Sequence, residues 1–64
     1  MTQKELLYVE DAIGHEDNII KICEDMVNTL EDDNLILFME KQIKTHTSMK
    51  NKMINMLEDK INGW

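Results

Sequence analysis

The stretch EDAIGHEDNII, residues 10–20, decides how the chain reads. In and around it, apolar residues fall at Leu6, Val9, Ile13, Ile20, Cys23, Val27 and Leu30, in steps of three and four that follow the helical period. The series breaks once, where Glu16 occupies the slot between Ile13 and Ile20. A carboxylate on a buried stripe is costly unless it is paired, coordinated or hydrogen-bonded. Glu16 is therefore the first candidate for a functional role.

Working outward, the chain has no proline and carries glycine only at positions 14 and 63, so nothing signals a β-turn. The apolar spacing is helical throughout, which predicts an all-α fold. Thr2 and Glu5 stand in the S/T-x-x-E arrangement, in which each side chain satisfies a free amide at a helix start. Helix 1 is predicted over about residues 3–30. The acidic cluster EDDN, residues 31–34, has the residue types that end one helix and cap the next. Helix 2 is predicted over about residues 34–61. A short connection makes the two helices antiparallel neighbours, so residues 1–64 form a single helical-hairpin domain.

On helix 1 the apolar residues span an arc of about 160°, because Ala12, Ile19 and Met26 border the main seam and Tyr8 and Ile22 lie beyond them. Helix 2 is equally broad, with Leu35, Ile36, Met39, Ile43, Met49, Met53, Ile54, Met56, Leu57 and Ile61. One partner helix cannot cover either arc. Two hairpins can, and a twofold dimer forming a four-helix bundle is the simplest closed arrangement. Size argues the same way: a chain this short buries only about 60% of its unfolded surface, and the single cysteine, Cys23, permits no intrachain disulfide. Cys23 reads as a small buried hydrophobe in a reduced protein, a bridge between two copies of the chain being the alternative.

Charge supports the association. Residues 1–31 carry eight acids and two lysines, residues 34–64 three acids and five lysines, and Asp32 and Asp33 lie between them. Helix 1 should attract helix 2 and repel its own copy. The formal net charge of −6 and the absence of a basic stripe argue against nucleic acid. The longest apolar run, LILFM, falls far short of the roughly 20 residues of a membrane span. The acidic opening MTQKELLYVED does not read as a secretion signal, so cytoplasmic synthesis is expected.

Helix 2 has polar intruders of its own, His46 and Lys50, in the middle of its apolar arc. A turn centred near residue 33 would place Ile20 opposite His46 and Glu16 opposite Lys50, with Glu16 and His46 about 6 Å apart along the axis. Three readings follow. Glu16 pairs with Lys50 or His46 and fixes helix register; or Glu16 and His46 from two chains hold a tetrahedral metal, zinc or iron; or the layer is solvated, with Lys50 extending outward. The methionines of helix 2 read as core filler, or else as an adaptable face for a partner helix. His15 and Ser48 have no catalytic surroundings, and no glycine-rich loop could cradle a phosphate, so no enzyme activity is expected.

The segments TQKELLYVEDAIGHED, residues 2–17, and DDNLILFMEKQIKTH, residues 32–46, resemble the small spore coat F-like proteins of spore-forming Firmicutes. The specific part is the block Gln3, Lys4, Glu5, Leu7, Glu10, Asp11, His15 and Glu16. The resemblance implies a ferritin-like hairpin associated with the spore coat, with other coat proteins as partners. Ferritin-like bundles hold di-iron through a glutamate on one helix and Glu-x-x-His on another. Glu16 matches the first glutamate, but His46 and Met49 stand where Glu-x-x-His would be. The expectation is a non-enzymatic structural or interaction protein that acts as a homodimer without a cofactor; a metal-binding or vestigial ferritin-like protein is the alternative.

Overall fold

At the amino terminus the Thr2 and Glu5 side chains close a reciprocal cap. The Thr2 N–H donates to Glu5 Oε1 at 2.7 Å, and the Glu5 N–H donates to Thr2 Oγ1 at 3.1 Å. From there helix α1 runs over Gln3–Thr29, and helix α2 follows over Asp33–Asn62. The computed structural model describes residues 1–62, with side chains through residue 60. The side chain of Ile61, expected on the helix 2 arc, and the terminal Gly63–Trp64 lie outside the described residues.

The connector is Leu30, Glu31 and Asp32. Leu30 takes extended angles, φ −70° and ψ 146°, while its N–H still donates to the Met26 carbonyl at 2.8 Å. Asp32 then caps α2: its Oδ1 accepts from the Leu35 N–H at 3.0 Å, one of the first-turn amides that would otherwise lack a partner. So the acidic cluster does end one helix and start the next, but α2 begins at Asp33 rather than Asn34 and α1 ends at Thr29.

The helices pack antiparallel. The connector joins one end, and at the other Met1, Glu5, Tyr8 and Val9 share a furrow with Lys60. No strand occurs among the described residues. The result is an elongated hairpin, 49 × 16 × 11 Å, without a developed interior. Among the described residues only Cys23 and Glu16 are buried, and no side chain is fully enclosed. Tyr8, Ile22, Leu37, Phe38 and Met56 are each more than half exposed. Two helices cover one narrow stripe on each other, and the remainder of each wide apolar arc faces outward.

Candidate functional site

Glu16 lies on the contact stripe of α1, and His46 meets it from α2, with Nδ1 of the histidine 2.5 Å from Oε2 of the glutamate. Beside them Lys50 Nζ is 2.5 Å from Asp17 Oδ1. The surroundings differ: the Glu16 and His46 side chains are 12% and 21% exposed, those of Asp17 and Lys50 52% and 30%. No buried side-chain nitrogen or oxygen among the described residues lacks a hydrogen-bond partner.

This pairing corrects the sequence reading in one respect. A turn centred near residue 33 would set Glu16 level with Lys50, whereas the structure sets it level with His46. The reason is the position of the connector. Thr29 and Asp33, the last and first helical residues around it, number 62 together, and so do Glu16 and His46. Lys50 lies one turn farther from the connector. Its side chain leans toward the start of its own helix, as helical side chains do, which carries the ammonium back to Asp17. The sequence reading missed Asp17 because it belongs to the polar flank, where Glu10, Asp17 and Glu24 recur every seven residues.

Cys23, two turns beyond Glu16 on the same stripe, is buried and free. His15 and Ser48 are exposed and stand apart from the layer. Of two further surface furrows, one runs along α2 from Ile43 to Asn55, and one along α1 from Ile22 to Thr29 with Leu30 of the connector at its end. They lie on helix surfaces, not between elements, and lack the concavity of a small-molecule site.

The donor set decides what a metal could find here. Among the described residues, no group of three or more His, Cys, Asp or Glu side chains is placed to hold an ion within one chain. The ferritin-like di-iron pattern requires several carboxylates, and here the matching positions offer Glu16, His46 and the thioether of the exposed Met49. Hard iron does not suit that set. Comparison with protein-family models finds no match, and neither curated proteins nor solved structures give one.

Proposed function

We propose that this chain is a non-enzymatic structural protein that works as a homodimer, two hairpins closing into a ferritin-like four-helix bundle, and that it is a spore coat or sporulation-associated component. The observation that carries the reading is the uncovered apolar surface. The chain exposes 5126 Å², whereas a compact monomer of its mass, 7.6 kDa, would expose about 4,300 Å². In total surface, polar and apolar together, the excess is about 800 Å², close to what each partner contributes to a standard interface. The Glu16–His46 contact suits this role as a register device: a polar pair on an apolar stripe penalises helix sliding, because any slip leaves the carboxylate unpartnered.

The spore assignment rests on the resemblance of residues 2–17 and 32–46. Sedimentation equilibrium tests the dimer: a mass of twice 7.6 kDa is expected, and a fully helical monomer would remove the dimer. Transcript levels test the spore link, and equal expression in growing and sporulating cells would sever it. No helix among the described residues is long and apolar enough to cross a membrane.

A second reading has its own support in the direct contact of Glu16 and His46. Each chain places a carboxylate and an imidazole side by side, so two chains could supply a tetrahedral set suited to zinc. Protein purified without chelator decides this reading. Less than about a tenth of an equivalent of zinc per dimer, with no thermal shift on adding zinc, would end it.

A further inference from the structure

The exposed apolar side chains are not spread evenly around the hairpin. Successive helical residues turn by about 100°, and from Glu16 this places Tyr8, Ile19, Ile22 and Met26 on one flank of α1. From His46 the same step places Phe38, Met49 and Met56 on one flank of α2. Because the helices are antiparallel, these two flanks lie on the same side of the hairpin. The shared furrow of Met1, Tyr8 and Lys60 agrees with this. The opposite side carries Glu10, Asp17 and Glu24, with Lys50 reaching across to Asp17. The hairpin therefore has one broad uncovered apolar face, interrupted by exposed His15 and bounded by charge. Leu7 and Leu37, also exposed, lie singly on the far sides of their helices.

Two twofold arrangements stack such a face on its own copy. In one, the connectors lie at the same end and α1 of each chain rests on α2 of its partner. In the other, the connectors lie at opposite ends, so that α1 rests on α1 and α2 on α2. The rim charges discriminate between them. On α1 the rim carries Lys4, Asp11 and Asp25; on α2 it carries Lys41, Lys52 and Asp59, all exposed. In the hairpin, residues at one level number about 62 together, as Glu16 and His46 do. The same-end arrangement keeps these levels across the two chains.

It thereby sets Lys4 beside the partner's Asp59 and Asp11 beside the partner's Lys52, with Asp25 about one turn from the partner's Lys41. Every rim pair is then of opposite sign. With full overlap in the opposite-end arrangement, Lys41 falls within about two residues of the partner's Lys52, a separation of about 3 Å along the axis. Asp11 then falls about one turn from the partner's Asp25. Those two pairs are of like sign, and each occurs twice. The one favourable rim pair there, Lys4 about one turn from the partner's Asp25, offsets the aspartate pair but not the lysine pair.

We infer that the face of Tyr8, Ile19, Ile22, Phe38, Met49 and Met56 receives a second copy of this chain with both connectors at the same end of the bundle. This rests on the dimer proposed above and adds its face and its orientation. Apolar burial drives the association, and the rim charges select the orientation.

Spin labels on the connector test it. In a Cys23→Ala background, Glu31→Cys carries a nitroxide, and electron double resonance reads the distance between the two labels. The same-end arrangement gives a separation below about 30 Å, set by neighbouring helices about 10 Å apart plus the label arms. The opposite-end arrangement gives about 40 Å or more, the length of α1. A long distance in a dimer overturns the orientation and leaves the dimer standing. A monomer by sedimentation overturns both.

A second pair of variants needs no cysteine change. Asp11→Lys and Lys52→Glu should each raise the dimer Kd about threefold to tenfold, since each pair occurs twice. The double variant should return to within about twofold of the parent. Additive weakening in the double variant would overturn the inference, because within one chain these side chains sit on outer edges too far apart to couple.

Discussion

Glu16 and Asp17 are adjacent in sequence and each meets a nitrogen of α2 at 2.5 Å, yet one lies between the helices and the other on their flank. The difference is a single step of about 100° around α1. Between the helices, water can no longer solvate the carboxylate well, so His46 has to replace what burial removed. On the flank, water and salt still reach Asp17, and the contact with Lys50 competes with good solvation. Equal distances therefore carry unequal energies, and burial decides which pair the fold depends on.

The largest expected effect is at the buried pair. Glu16→Ala leaves the His46 imidazole without its partner beside a new void and should cost about 3 kcal/mol in urea unfolding at fixed chain concentration. Replacing Glu16 and His46 together by leucine should be neutral or stabilising, since extra apolar burial outweighs a pair that offset little more than its own desolvation. That double variant tests register as well: it should melt higher while populating more than one oligomeric species. A Glu16→Ala protein as stable as its parent would erase the contrast between the two pairs.

Much of the fold was legible from residue spacing alone. The Thr2–Glu5 cap, the helix break within residues 31–34 and the antiparallel pairing each rest on local chemistry that a short sequence displays. The candidate layer was legible as a set of residues, because Glu16, His46 and Lys50 interrupt otherwise regular apolar stripes. A pairing of Glu16 with His46 or Lys50 was legible too, but which of the two it meets was not. Level depends on where the connector is centred, and four adjacent capping residues, Glu31 to Asn34, leave that open by about a turn. Asp17 could not be singled out at all, since an aspartate on a polar face breaks no pattern.

The next effect sharpens the comparison by placing the same residue on opposite sides of α1. Gly14 lies about 160° from Glu16 around the helix, and a methyl group there would meet nothing within 4 Å. Gly14→Ala should therefore stabilise by about 1 kcal/mol, by restricting the unfolded chain and improving helix propensity. Alanine two residues apart then gives opposite signs. A destabilised Gly14→Ala would mean that the open side of α1 is covered in the assembled protein. At the flank pair, Asp17→Ala should change stability by no more than about 0.5 kcal/mol. In about 1 M salt even that difference should vanish; a loss comparable to that of Glu16→Ala would show that the flank is buried by a partner.

Glu5 extends the series to full exposure, and there the effect is smallest and is read by pH. Its carboxyl titrates below the ordinary 4.5, first because it accepts from the Thr2 main-chain N–H and then through the Thr2 hydroxyl. A carboxylate whose folded pKa lies below its unfolded one contributes stability above the unfolded value. That contribution is lost as pH falls through the lowered folded value. The Glu5 side-chain carbonyl resonance, followed by NMR against pH, should accordingly show a midpoint below 4.5, with first-turn amides exchanging faster below it. Thr2→Ala removes the hydroxyl but keeps the main-chain donor, so the midpoint should move only part of the way back. An unshifted Glu5 in the parent would mean that the reciprocal cap is open in solution and that the start of α1 is held by packing alone.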